Sequence, residues 1–410
     1  MTARPDPAAR SSENAVTAAA PRRRLWAECF RASLFLGLTS FGGPAAHAAY
    51  FERLYVQKLG WLNAAAFAQI MALCHLLPGP ASSQMNFLIG WIRGGAVGAV
   101  LSFTAFTLPS ALLMLAAAVY AQAIGGVDVL VHGLKLLAAV VVAQAVLSMG
   151  QRLCPDWRRR IAAAVVALIC ALFGGIYIQI GIILLGALFG LWFLPRQGLD
   201  DAAPLPNVIG QNTALRAVSI FVLLLVALPV FTGMGGVQGA APLAEVFYRS
   251  GALVFGGGHV VLPLLYDALP AAREQMMLFY GLAQVLPGPL FTVAAALGYA
   301  LFPVAPVAGA AVALGFIFLP GLLLAVGGYY FWQRITQSPR LLGVIAGVNA
   351  AVVGILAGAL IDPVLTGALQ GWMDAAFVLI CITITVWKKL PVAAVMVICA
   401  VYALASGFAA

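Results

Sequence analysis

Leu73-Cys74-His75-Leu76-Leu77-Pro78-Gly79-Pro80 and Leu282-Ala283-Gln284-Val285-Leu286-Pro287-Gly288-Pro289 are two copies of one interrupted apolar unit. Each has a companion break upstream, Phe41-Gly42-Gly43-Pro44 in one case and Phe255-Gly256-Gly257-Gly258 in the other. Each has a third downstream, Leu108-Pro109-Ser110 and Leu319-Pro320-Gly321. From first signal to second is 37 residues in one half and 32 in the other; from second to third is 31 and 33. Three signals in register are an internal repeat. Proline lacks an N–H and fixes φ, while glycine enters turns closed to other residues, so each Pro-Gly-Pro stops one helix and starts another.

Composition sets the solvent. Of 410 residues 63% are apolar and 9% charged, and the mean hydropathy is +1.02. Such a chain is an all-α integral membrane protein, because apolar stretches able to cross ~30 Å of hydrocarbon run along its length. No phosphate-binding GxxxxGK[ST] loop is present, and no stretch leaves room for a soluble catalytic or ATP-driven domain, so any transport is secondary or passive. The excess of 22 basic over 13 acidic residues lies largely in short loops and the N-terminal tail. That is where the positive-inside rule puts it; nucleic-acid binding would need a basic face interleaved with aromatics. Cys29, Cys74, Cys154, Cys170, Cys381 and Cys399 form no CxxC pair and read as packing residues, with neither metal nor cofactor implied.

Residues 1–28 read as a disordered cytoplasmic tail and 29–194 as a first membrane repeat. A cytoplasmic linker (195–216), a linking transmembrane helix (217–234) and a second repeat (235–410) follow. Apolar segments 96–121, 131–150, 161–177 and 179–194 match 306–331, 341–361, 374–388 and 391–408 in order. The loops between them reverse their charge. Arg152, Arg158, Arg159 and Arg160 stand against an Asp362–Asp374 loop with no Lys or Arg; Gln122–Leu130, without a basic residue, stands against Arg334 and Arg340; uncharged Gly174-Gly175 stands against Lys388-Lys389. The halves are therefore expected to be inserted with opposite orientation, N-terminus inside and C-terminus outside. Segments 29–41, 44–59, 64–77 and 81–93 are short for spans. Parity of crossings favours re-entrant hairpins with the breaks near their tips, about 9 full spans plus 4 hairpins; a conventional count of ~10–13 spans is the alternative.

A helix beginning after a break offers free N–H groups and a positive dipole end, which bind an anion without side-chain charge. After Pro78, Gly79 and Pro80 the first turn brings Ser82, Ser83 and Gln84, with Asn86 beyond; after Pro287, Gly288 and Pro289 comes Thr292. With Gly42, Gly43, Pro44, Gly256, Gly257 and Gly258 these form the expected oxyanion site. Intramembrane ionisable groups join it as candidates. His47, His75 and His259 flank the breaks, and each reads either as a coupling or donor group or as a neutral hydrogen-bonded histidine. Arg31 and Glu245 each stand ten residues before a break phenylalanine and read as a gate or as interfacial charges. Lys135 and Asn349 occupy matching places, the lysine snorkelling or facing the anion path.

Phe41-Gly42-Gly43-Pro44 with its downstream histidine, LCxLLPGPxSxQ at Leu73–Gln84 and FGGGxVVLPLL at Phe255–Leu265 resemble the chromate ion transporter family in its long, two-domain form. The resemblance runs from about residue 29 to the end; Phe291-Thr292 departs from the two serines of the first half. It implies a bacterial inner-membrane protein that exports chromate, confers chromate resistance and runs on the proton gradient or membrane potential. Sulfate has the same tetrahedral dianionic shape, so uptake or exchange of sulfate or another oxyanion is the competing reading. A membrane chromate reductase is disfavoured by the lack of nucleotide motifs and clustered cysteines, and a purely structural role gives no reason for paired breaks. The implied partners are the oxyanion and the lipid bilayer, and a homodimer is left open.

Overall fold

A computed structural model of the chain describes residues 21–123, 128–173, 175–194, 205–235, 239–255, 258–388, 390 and 392–407. Gly256 and Gly257 lie outside the described residues, as do 1–20, Gly174, most of the 195–210 stretch and Lys389. Every element among the described residues is helical.

The first half opens with α1 (Arg22–Thr39), α2 (Gly43–Phe51, continued by a π turn over Glu52–Lys58) and α3 (Ala64–Leu76). It continues with α4 (Ala81–Ala123), α5 (Asp128–Leu153), α6 (Trp157–Phe173) and α7 (Ile176–Phe193). The linking helix is α8 (Gln211–Gly235). The second half repeats the order: α9 (Ala240–Leu253), α10 (Val261–Ala268), α11 (Arg273–Ala283) and α12 (Val293–Leu301). Then come α13 (Pro306–Thr336), α14 (Pro339–Ala359), α15 (Trp372–Lys388) and α16 (Val392–Gly407). α4 turns at Gly95 (φ 67°, ψ −162°), so its arm 81–94 matches α12 and its long arm matches α13.

Local chemistry explains the ends. Asn63 caps α3 by accepting from the Ala66 N–H at 2.8 Å. Pro306 and Pro339 begin α13 and α14, where a missing N–H costs nothing. Two boundaries differ from the sequence reading. α1 begins at Arg22, so residues 22–28 of the expected tail are helical; Glu28 there pairs with Arg24 (3.2 Å) and Arg93 (2.7 Å). The linking helix begins at Gln211, inside the expected linker. Both starts lie in polar sequence whose helicity is set by what it packs on.

Among the described residues, five helices are long and apolar enough to cross a bilayer: Ala81–Tyr120, Val131–Leu153, Gln211–Thr232, Pro306–Thr336 and Pro339–Ala368. The other four expected spans are present as α6, α7, α15 and α16, but at 16 to 18 residues each. At 1.5 Å per residue that is about 24–27 Å, just short of the hydrocarbon thickness. The chain is a multi-pass, all-α membrane protein.

The halves are interlocked. α6 and α7 of the first half both pack on α14 of the second, and α15 and α16 both pack on α5 of the first. Glycines make the closest crossings possible: a Cβ at Gly347 would strike the Gly186 carbonyl and meet the Gly190 Cα at 2.7 Å. The same reciprocity holds near the breaks. A Cβ at Gly37 would meet the Phe106 carbonyl oxygen at 2.5 Å, and one at Gly251 would strike the Ile317 carbonyl. Gly37 and Gly251 each stand four residues before a break phenylalanine, and Phe106 and Ile317 each stand three before the third-signal proline.

The outer ends of the first-half arms gather at one place. Trp26 donates to the Gly94 carbonyl (3.1 Å), Arg93 pairs with Glu28, and the Arg93 guanidinium lies 5.2 Å over the Trp61 ring. The start of α1, the α2–α3 loop and the Gly95 turn thus share one end, and the breaks lie at the other.

Candidate functional site

The three sequence signals of one half meet those of the other crosswise. Gly79, at φ +119°, donates its N–H to the Val254 carbonyl (2.6 Å), the residue before the Phe255 break. Gly288, at φ +101°, donates to the Ser40 carbonyl (2.9 Å), the residue before the Phe41 break. Each Pro-Gly-Pro also rests on the third signal of the opposite half: a Cβ on Gly79 would come within 2.8 Å of the Gly321 Cα, and one on Gly288 within 2.9 Å of the Ser110 Cβ.

Side chains close the same contacts. Gln84 donates through Nε2 to the Pro78 carbonyl (2.9 Å) and across the halves to the Gly321 carbonyl (2.8 Å). Ser110 and Thr292 share a 2.6 Å hydroxyl–hydroxyl hydrogen bond, and Thr292 also donates to the Pro289 carbonyl (2.9 Å). Unwound backbone buried at this depth is tolerated only with such partners or beside a cavity.

The expected site residues divide accordingly. Asn86 is a cross-brace: its Oδ1 accepts from Tyr55 and Ser33, and its Nδ2 donates to the Ser102 carbonyl at 2.8 Å. Ser82 and Ser83 are buried in the first turn of α4, and the Ser83 hydroxyl has no hydrogen-bond partner. The same is true of Ser40 and Thr107, which the sequence reading did not single out. His47 is 1% exposed, held edge-on to Phe106 at 5.7 Å, and neither ring nitrogen has a hydrogen-bond partner. Gly42 adopts φ +94° just before α2, with Gly43 and Pro44 as that helix's first two residues.

The two breaks are not equivalent. In the first half, α4 starts directly after Pro80 with a serine-bearing turn. In the second, a 3-10 turn over Leu290–Thr292 precedes α12, Phe291 packs 5.6 Å from Phe318, and Phe318 packs 5.1 Å from Phe103. Three aromatic rings thus pack together beside the second break, next to the Ser110–Thr292 hydroxyl pair. Gly258 is buried against Leu290 and Phe291.

Other candidates sit apart from these contacts. His75 bonds the Met71 carbonyl of its own helix at 2.7 Å, and His259 bonds Tyr280 at 2.9 Å. Glu245 pairs with Arg249 on its own helix at 3.2 Å, while Arg31 is exposed, so no ion pair joins Arg31 to Glu245 among the described residues. Lys135 is half-buried, and Asn349 is buried with its Oδ1 unpartnered. Two polar cavities lie at helix ends, one at the C-terminal end of α13 and one at the C-terminal end of α14. One of about 340 Å³ is lined by Asn207, Tyr329, Gln333 and Arg334. The other, about 410 Å³, is lined by Gln179, Tyr266, Asp267, Arg273 and Asp362.

The repeated unit has a recognised counterpart. The sequence model described as Chromate transporter matches twice, over residues 27–191 and again over 241–404, once in each half. The chain belongs to the chromate transporter family. A chromate transport protein of Cupriavidus metallidurans is 28% identical over 350 residues, covering 80% of this chain and 80% of the relative. One from Pseudomonas aeruginosa is 27% identical over 373 residues, covering 85% and 83%. A probable chromate transport protein of Synechococcus elongatus is 26% identical, covering 80% and 82%. No solved structure matches the chain. The family match breaks off between residues 191 and 241, across the 195–216 stretch and α8, where the two halves join.

Proposed function

We propose that the protein is a secondary transporter that exports chromate, a tetrahedral oxyanion, across the bacterial inner membrane and so confers chromate resistance. The observation that carries this reading is the first break. The turn Ala81–Gln84 opens a helix whose leading N–H groups have no intrahelical partner, and the unpartnered Ser83 hydroxyl lies in that same turn. Backbone dipoles, hydroxyls and few full charges suit a dianion that must both bind and leave. The relatives' names support chromate as the cargo.

The alternating loop charges support an inverted pair with the N-terminus inside. The clustering of Trp26, Glu28, Trp61, Arg93 and Gly94 at one end supports first-half arms that enter and return on the same, basic side. With the breaks meeting crosswise between the halves, movement of one half against the other would open the site alternately to each side. An interior-negative potential favours exit of a dianion by roughly 4–5 kcal/mol per 100 mV, and inward proton movement would add to it.

Everted membrane vesicles carrying the protein are expected to fill with chromate under an imposed potential, and cells expressing it to accumulate less chromate than empty-vector cells. Equal accumulation, with the protein shown in the membrane, would overturn export. Sulfate filling the vesicles in place of chromate would reassign the cargo. Ser82→Ala/Ser83→Ala is expected to weaken chromate binding by roughly fivefold to a hundredfold, the loss of one or two charge-assisted hydrogen bonds. Equilibrium dialysis of the purified double variant checks this, and an unchanged affinity would move the site away from the first break.

A further inference from the structure

His132 was not among the histidines the breaks pointed to, and it is the one that meets a carboxylate among the described residues. It lies one turn into α5, with its side chain 10% exposed, and its Nε2 stands 3.4 Å from Asp374 Oδ1 on α15 of the opposite half. Tyr402 of α16 donates to the same oxygen at 2.9 Å, and the Gln370 N–H donates to Oδ2 at 2.8 Å. Both carboxylate oxygens are thereby engaged. The second ring nitrogen is not: Nδ1 of His132 is buried with no hydrogen-bond partner.

That imbalance has a chemical meaning. With Nε2–H donated to Asp374, Nδ1 is a bare lone pair, which burial tolerates. A proton arriving at Nδ1 becomes a buried donor without an acceptor, so the protonated ring must move or the helices around it must. Those helices are the interlocked ones. Gly133 lets α5 approach α16 so closely that a Cβ there would meet the Ala403 Cβ at 3.2 Å. Two residues beyond His132, the Leu134 carbonyl lies where a Cβ on Gly281 of α11 would sit 2.7 Å away, and α11 is the arm that leads into the second Pro-Gly-Pro.

Other titratable groups on the elements around α5 are engaged elsewhere. Tyr280 holds His259, Asp362 accepts from Thr366, and Arg273 lies over the Tyr266 ring. Cys381 of α15 and Cys399 of α16 face each other. Glu274 is exposed, and Lys135 lies one turn along α5 itself. Arg152, Arg340 and Lys388 stand at or near the far ends of α5, α14 and α15.

We propose that His132, held by Asp374, is the site that takes the coupling proton, and that it transmits protonation through α5 to the arm bearing the second break. This rests on the transport reading above and supplies its coupling ion.

The test separates the two drives in everted vesicles. With the potential clamped to zero, an acid-inside pH gradient is expected to raise wild-type chromate uptake by roughly fivefold or more, the low end for coupling between two sites. His132→Gln keeps a donor for Asp374 but cannot titrate. It should lose the gradient-driven increment while keeping potential-driven uptake within about twofold. Asp374→Asn should do the same, and Tyr402→Phe, which keeps both histidine and carboxylate, should retain the increment. The proposal is overturned if His132→Gln keeps the increment, if the wild type has none, or if the variant loses both drives together at normal membrane levels, which would make the pair a structural clamp. Absence of wild-type uptake under both drives would refute the oxyanion reading instead. In that case dye-monitored proton flux decides the histidine: flux that His132→Gln removes supports it, and its absence overturns it.

Discussion

Gly79→Ala and Gly288→Ala are each expected to reduce chromate flux to near background, with far larger effects than alanine at glycines in open surroundings such as Gly210 or Gly315. Two costs coincide at each site. The backbone sits at φ +119° or +101°, where an L side chain is strained by about 1–2 kcal/mol. The added methyl would also stand 2.8 Å from the Gly321 Cα or 2.9 Å from the Ser110 Cβ, too close for any carbon pair. Relief requires the break to withdraw from the opposite half, which stretches the Gly79–Val254 or Gly288–Ser40 hydrogen bond. Vesicle uptake, normalised to membrane level, measures the effect. Wild-type flux in either variant would mean that the crossed contact is not kept in the working protein.

The second large effect is expected at Gln84. Gln84→Leu fills similar space but leaves the Pro78 and Gly321 carbonyls without their amide donor, at about 1–3 kcal/mol for each buried group left unsatisfied. Gln84→Glu is expected to be as damaging, since an ionised carboxylate offers two oxygens to two oxygens. Both should lower the melting temperature of the purified protein and abolish flux together. If Gln84→Leu instead keeps full thermal stability and loses chromate affinity alone, the glutamine is a substrate ligand and not a tie between the halves.

That distinction marks where sequence reading stopped. Proline and glycine announce a break by their own covalent geometry, so Pro78-Gly79-Pro80, Pro287-Gly288-Pro289 and Phe41-Gly42-Gly43 were legible, as were the helix order and the membrane setting. Which break meets which was not. A repeat predicts that the halves are alike, but the pairing of Gly79 with Val254 and of Gly288 with Ser40 depends on how two alike units are threaded through each other. Gln84 and Asn86 were read as donors facing an anion because their positions in the turn allow it; partners such as Gly321, 237 residues away, commit Gln84 elsewhere. His132 escaped notice for a related reason. It stands in an unbroken apolar helix, and the carboxylate that gives it meaning lies 242 residues on. Ser40 and Thr107 became candidates only when burial showed their hydroxyls alone.

The exchange of α6 and α7 for α15 and α16 between the halves also constrains how the chain is made. α14 is the partner of α6 and α7, yet it is translated more than a hundred residues after them. The leading half therefore leaves the ribosome with α6 and α7 lacking the helix they pack on, the α7 surface being cut to glycine at Gly186 and Gly190. It must wait, inserted but unfinished, until the trailing half arrives. A chain truncated after α8 should accordingly be a short-lived substrate for membrane proteases, and supplying the missing half as a separate polypeptide should rescue it.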